Sequence, residues 1–173
     1  RRQKTKKQRD HPLSKILIFG NSGSGKSTLA NALAAEQGLA HLDLDTLAWL
    51  PGVPPERAPL AESRAAIEAF MASCERWVIE GCYVDLLEVA ALHADTAIFM
   101  NLPVAACIDN ARKRPWEPHK YASREEQDSN LAMLIDWISQ YPSRDDVFSE
   151  AAHRAFYERF PAEKHMYTRN QRV

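Results

Sequence analysis

The sequence predicts an α/β fold, a parallel β-sheet flanked by helices in three layers. Three observations lead there. A short apolar run, Lys15-Ile16-Leu17-Ile18-Phe19, ends directly in a glycine-rich segment that opens a helix. Further apolar runs then alternate with helical patterns, the arrangement that right-handed crossovers close into a parallel sheet. The chain has 173 residues, 45% hydrophobic and 26% charged, which suits one core and is short for two.

The elements follow in order. Residues 15–19 read as a buried strand, because their apolar character is continuous rather than alternating. Ser27 to Gln37 is rich in Ala and Leu and stops at Gly38, a helix with a glycine C-cap. Leu39 to Leu44 predicts a second strand, and Pro51, Pro54, Pro55 and Pro59 make the next stretch a loop. Leu60, Ile67, Phe70, Met71 and Cys74 then share one helical face. Trp77-Val78-Ile79 predicts a third strand closing at Glu80-Gly81, and Thr96 to Met100 a fourth. Pro103 suits the first turn of a helix reaching Arg114, and Pro115 and Pro118 break the chain into a loop. Leu131, Leu134, Ile135 and Ile138 mark another amphipathic helix, further helical residues fall near 146–159, and Lys164 to Thr168 predicts a last strand.

Composition and charge exclude several classes. No apolar run approaches the roughly 18–20 residues of a membrane span, so no membrane partner is expected. The formal net charge of −1 argues against a surface that grips nucleic acid everywhere. It hides an asymmetry: residues 1–9 carry six Lys/Arg and no acid, leaving 16 Lys/Arg against 23 Asp/Glu in the remainder. A basic, disordered arm at residues 1–12 is therefore expected ahead of a domain at 13–173. Cys74, Cys82 and Cys107 are too few and too far apart for a disulfide framework, and read as the reduced thiols of a cytoplasmic protein. The six scattered histidines suggest no zinc site. The N-terminus lacks the apolar core of a secretory signal, and the chain opens at Arg1 as if processed, tagged or trimmed.

The strongest motif is Gly20-Asn21-Ser22-Gly23-Ser24-Gly25-Lys26-Ser27, followed by Thr28. It matches the G-x-x-x-x-G-K-[ST] phosphate loop (P-loop) and sits, as that chemistry requires, between a strand and a helix. Glycines let successive backbone N–H groups converge on one phosphate, and the helix adds its positive end. Lys26 can bridge the terminal phosphates of ATP, and the Ser27 hydroxyl can join a Mg²⁺ shell.

Asp43 and Asp45 stand two residues apart at the end of the second strand, on one side of it. Ligands of open α/β sheets lie beyond the carboxyl ends of the strands, so both acids fall beside the phosphate loop. Asp45 is the candidate to orient or deprotonate an acceptor hydroxyl, and Asp43 to hold a Mg²⁺ water; the plain alternative is that both cap the next element. Glu80, at the end of the third strand, is a further Mg²⁺ candidate, and Asn101 stands where the fourth strand ends without supplying charge. Arg112 and Arg114 lie just before the proline-broken loop; they either favour the end of a helix or serve a lid that neutralises the transferred phosphoryl group. Trp49 and Trp116 read as packing residues.

On GNSGSGKST (20–28), LDTLAWLPG (44–52), WVIEGCY (77–83), IFMNLP (98–103) and RKRP (112–115), the chain resembles small P-loop kinases of the adenylate kinase and shikimate kinase type. It is most similar to the adenylate kinase-related, DNA topology modulation-like group. The resemblance implies a P-loop NTPase fold with a five-stranded parallel sheet, an acceptor region around 45–75 and a lid around 112–122. Adenylate kinases carry D-G-F-P-R after the third strand and shikimate kinases three glycines; this chain has Glu80-Gly81-Cys82-Tyr83, without the arginine that grips a nucleoside monophosphate. The final TRNQRV stops where such folds continue into a helix.

The leading expectation is a phosphotransferase that moves the terminal phosphoryl group of Mg²⁺-ATP to a small hydroxyl- or phosphate-bearing acceptor. A second is a nucleotide-dependent ATPase or switch touching nucleic acid through residues 1–9, which the usual solvation of charge runs disfavours. A third is a nucleotide-binding partner subunit without turnover. These residues leave open the acceptor, the oligomeric state and the choice between ATP and GTP.

Overall fold

A computed structural model describes residues 14–171. The basic arm, and with it the nucleic-acid contact at residues 1–9, lies outside the described residues. The elements run β1 (Lys15–Gly20), α1 (Lys26–Gln37), β2 (Ala40–Asp43), a short 3-10 turn (Leu44–Thr46), β3 (Trp49–Leu50), β4 (Glu56–Arg57), α2 (Leu60–Ser73), β5 (Trp77–Gly81), α3 (Val84–Ala91), β6 (Thr96–Met100), α4 (Val104–Lys113), α5 (Arg124–Ser129), α6 (Leu131–Ser139), α7 (Glu150–Arg159) and β7 (Glu163–Tyr167). Five strands form one sheet in the order β2-β5-β1-β6-β7, and every pairing in it is parallel. β3 and β4 make a separate antiparallel hairpin.

Strand alternation sorts the core into two halves. Leu17, Phe19, Trp77, Ile79, Ala97 and Phe99 point to the face covered by α2, α3 and α7, where Ile67, Leu86, Leu87 and Phe156 meet them. Ile16, Ile18, Val78, Ile98 and Met100 point to the other face, against Leu29 and Ala30 of α1, Cys107 and Ala111 of α4 and Ile138 of α6. The three central strands are covered on both faces, which explains their unbroken apolar sequence. Each fully buried Leu, Ile or Phe there contributes about 1.5–3 kcal/mol. Phe19 is sandwiched by Phe99 (centroids 5.0 Å, stacked) and Phe156 (5.0 Å, edge-on).

The predicted strands are all present, within a residue or two at their ends. Several details differ. The second strand stops at Asp43, because Asp43 accepts a hydrogen bond from the Asp45 N–H and thereby starts the 3-10 turn. The proline-rich loop holds a hairpin. On α2, Ile67, Phe70, Met71 and Cys74 pack on the core as predicted, whereas Leu60 is half-exposed and Ser63 is buried, its hydroxyl donating to the Leu47 carbonyl. α3 was not expected: Val84, Leu86, Leu87, Val89 and Ala90 are buried nearly all round, leaving no 3.6-residue stripe to read.

Candidate functional site

β1 carries the chain into the phosphate loop at the carboxyl edge of the sheet. Two glycines are required by close packing. A Cβ on Gly20 would lie 2.4 Å from the Met100 carbonyl oxygen, and one on Gly23 would lie 2.4 Å from that of Cys107, at φ 150° and 77°. Asn21 is buried and donates to the Ile138 carbonyl at 3.2 Å, tying the loop to α6. Ser24 N–H donates back to the Asn21 carbonyl at 3.2 Å, and the Lys26 ammonium crosses the loop to the same oxygen at 2.8 Å. Ser22 is half-buried and Thr28 exposed. Gly25, in the left-handed conformation, starts α1, whose first-turn N–H groups have no helical carbonyl to pair with.

The residues fit a bound nucleotide and Mg²⁺. The Ser24 hydroxyl is buried with no partner inside the loop. The Ser27 hydroxyl donates to Glu80 Oε1 at 2.8 Å. Glu80 is itself buried, in register with Asp43 on the neighbouring strand, and His41 Nε2 lies 3.4 Å from the same oxygen. Among the described residues no cluster of three or more His, Cys, Asp or Glu is placed to hold a metal alone. A metal here would take Ser27, the phosphates and water, the way Mg²⁺ is commonly held.

Asp45 lies on the 3-10 turn that follows β2, at the end of the strand where the sequence put it. Tyr83 donates its hydroxyl to Asp45 Oδ1 at 2.5 Å and accepts the Trp49 indole N–H at 2.8 Å. Lys120 reaches Asp45 Oδ2 at 3.1 Å, Asp43 at 3.6 Å and Glu117 at 3.9 Å. Burial pushes the Asp45 carboxyl up, but Lys120, the Tyr83 hydroxyl and Lys26 outweigh it and hold the group below the usual range. Asp43 moves the other way, raised by burial and then by the charges of Glu80 and Asp45. The two acids are thus differentiated: one is kept ionised, the other crowded.

The loop after α4 covers this crevice. Its shape is held by Gln127 of α5, which accepts from the Glu117 N–H at 2.8 Å and donates to the Pro115 carbonyl at 3.1 Å. Arg114 pairs with Glu117 at 3.5 Å. Arg114 also lines a cavity of about 330 Å³ beside the phosphate loop, with Gly23, Gly25, Thr28, Asn110 and Asn170. Arg112, in the last turn of α4, is exposed and lies with Asn130, Leu131 and Leu134 of the α5–α6 corner, a hollow that Arg114, the extended residue after the helix, also borders. The structure therefore brings Lys26, Ser27, Glu80, Asp43, Asp45 and Arg114 to one edge of the sheet and leaves Arg112 apart.

Sequence reasoning missed several residues here. Lys120 gave no signal beyond a lone cation in the lid. Arg57 of the hairpin lies over the rings of Tyr83 (5.0 Å) and Phe148 (5.5 Å) and donates to both oxygens of Asp85, at 3.3 and 3.1 Å. Asn110 donates to the Gly23 carbonyl at 2.8 Å and to Asn170 at 2.7 Å, closing the far wall of the cavity. Trp49 and Trp116, expected to pack, are 38% and 42% exposed.

Behind the crevice, His153 is fully buried between Tyr141, whose hydroxyl is 2.7 Å from Nδ1, and the Cys82 carbonyl, 2.8 Å from Nε2. A carbonyl only accepts, so Nε2 carries the proton and Nδ1 accepts from Tyr141. Burial lowers the His153 pKa to about 4.

Comparisons with known proteins agree with this architecture. A gluconokinase from Sinorhizobium meliloti 1021 superposes with a TM-score of 0.50 at 18% identity, covering 91% of this chain and 85% of that one. A shikimate kinase from Acinetobacter baumannii, solved in complex with shikimate, gives 0.51 at 17% identity, covering 92% and 85%. At such identities the likeness is one of fold. No curated protein matches the chain. The sequence model of the AAA domain family matches residues 16–131. That span holds the phosphate loop, Asp43, Asp45, Glu80 and the lid through Lys120, and, matched over more than half its length, the chain belongs to the AAA domain family.

Proposed function

We propose that the protein is a Mg²⁺-ATP-dependent phosphotransferase acting on a small hydroxyl-bearing acceptor, of the adenylate kinase-related kind. One observation carries the reading. The phosphate loop, with Ser27 held by Glu80, stands beside Asp45, near enough for the Lys26 charge to act on that carboxyl, and Lys120 of the short lid reaches across to Asp45 while Arg114 borders the loop. The two similar solved structures are both of kinases, which supports it. The Glu80-Gly81-Cys82-Tyr83 run supports the adenylate kinase-related group within that class.

Mg²⁺, held through Ser27 and water, would supply neutralisation of the phosphate charge. This chain's residues do the positioning. The loop amides and the Ser24 hydroxyl hold phosphate oxygens. Lys26 exchanges the Asn21 carbonyl for the phosphate being transferred. Asp45, kept ionised by Lys120 and Tyr83, accepts a hydrogen bond from the acceptor hydroxyl and so aims its oxygen at the terminal phosphorus. As the new oxygen–phosphorus bond forms and the bond to ADP breaks, the hydroxyl proton passes to the Asp45 carboxylate. Arg114, on the lid, faces the charge that accumulates.

The test is ATP consumption with Mg²⁺ and a panel of nucleotides, nucleosides and hydroxylated metabolites, compared with Lys26→Ala and Asp45→Asn. Acceptor-dependent ADP release that both variants lose is the expected result. ATP binding without any acceptor-dependent release, unaffected by Lys26→Ala, would sink the proposal.

A further inference from the structure

The acceptor's charge can be read from how the cations around Asp45 are already committed. Arg57 gives two hydrogen bonds to Asp85, and its guanidinium is enclosed by Trp49, Tyr83 and Phe148. Arg144, which lies over Trp137 at 3.6 Å and near Phe148, is paired with Asp146. Lys120 is shared among Asp45, Asp43 and Glu117. Lys26, bonded only to the Asn21 carbonyl, is left to the phosphates of ATP, so an anionic acceptor must displace a carboxylate to gain one of the other three cations. It also enters beside Asp43, whose carboxyl the charges of Glu80 and Asp45 already crowd. An uncharged acceptor meets neither cost.

The wall at Trp49 points the same way. Trp49 packs edge-on against Tyr83 and has given its N–H to the Tyr83 hydroxyl. Its indole is half-exposed, so what it still offers is an apolar face. Such a face suits the CH side of a sugar ring or a nucleobase, and the hydroxyl-binding carboxylate of Asp45 is joined to Trp49 through Tyr83. Resting on the phosphotransferase reading, we propose that the acceptor is an uncharged sugar-bearing compound, a free sugar or a nucleoside, rather than a sugar acid or a nucleoside monophosphate.

Matched pairs test this: nucleosides against their monophosphates and glucose against gluconate, titrated calorimetrically with Mg²⁺ and a non-hydrolysable ATP analogue saturating the phosphate loop. At least one uncharged compound is expected to bind tenfold or more tighter than its anionic partner. Asp85→Asn, which frees Arg57, is expected to raise affinity for the anionic partner about tenfold, with the circular dichroism spectrum checking the fold. Equal or tighter binding of the anions by the unaltered protein overturns the proposal, as does binding of neither set. ATP consumption with the same compounds separates the two readings. Uncharged compounds that bind without being phosphorylated leave this inference standing and remove the kinase.

Discussion

The Ser27 hydroxyl donates a 2.8 Å hydrogen bond to Glu80, a buried carboxylate at the end of the neighbouring strand β5. The bond fixes which lone pairs of Ser27 remain for a cation, and it joins the phosphate loop to the sheet edge where Asp43 stands. Glu80→Gln keeps the shape and removes the charge. The expected outcome is a 10–100-fold rise in the Mg²⁺ concentration needed for half-maximal ATP consumption, the usual effect of losing a group that orients a metal ligand. Affinity for ATP measured without Mg²⁺ should change little. A Mg²⁺ titration of both proteins checks it.

Among the described residues Lys26 has one hydrogen-bond partner, the Asn21 carbonyl at 2.8 Å, and that bond lies on the loop rather than in the core. Lys26→Ala should therefore lower turnover by about 10²–10³-fold, the scale of removing one preorganised charge-stabilising donor. Its thermal midpoint without nucleotide should stay close to that of the unaltered protein. Steady-state kinetics and a melting curve together separate the two effects.

A methyl group on Gly23 meets the Cys107 carbonyl at 2.4 Å, at a φ of 77° that L residues rarely adopt. Both obstacles are backbone, so neither relaxes by a rotamer change. Gly23→Ala should cost about 2 kcal/mol, the range of a strained backbone residue. Nucleotide binding should fall as well, since the loop must open to relieve the contact. Urea unfolding and nucleotide titration measure the two losses.

The His153 imidazole has a folded pKa of about 4 against 6.5 for the free side chain. Between those values the unfolded chain takes a proton that the folded one refuses. Its contribution is fully present above pH 6.5, declines as pH falls through the window, and is lost below pH 4. The total is about 3 kcal/mol at roughly 1.4 kcal/mol per pKa unit. His153→Gln should remove most of this slope between pH 6.5 and 4, at the expense of lower stability at pH 7. Denaturation midpoints across that range test the prediction.

The legibility of the sequence varied with distance along the chain. The phosphate-loop motif from Gly20 to Thr28 was readable because its spacing is local, whereas the packing of Gly20 on Met100, Gly23 on Cys107 and Asn21 on Ile138 was not. Glu80 was readable because strand ends share one edge. Lys120 was not, since its role exists only when the lid folds over Asp45, 75 residues earlier. Arg57 was hidden for the same reason, in a hairpin whose strands are only two residues each. Arg112 and Arg114 shared one sequence cue, and what separates them is the end of α4 at Lys113, after which Arg114 is extended.

The amide pair of Asn110 and Asn170 has a consequence for biosynthesis. Asn170 lines the cavity beside the phosphate loop, and through Asn110 it is tied to the Gly23 carbonyl. The loop leaves the ribosome early, whereas this wall is delivered only after β7 has paired with β6. A chain folded only through β6 and α6 therefore holds the phosphate loop without this wall of the cavity, and its retention of nucleotide is expected to rise once β7 docks.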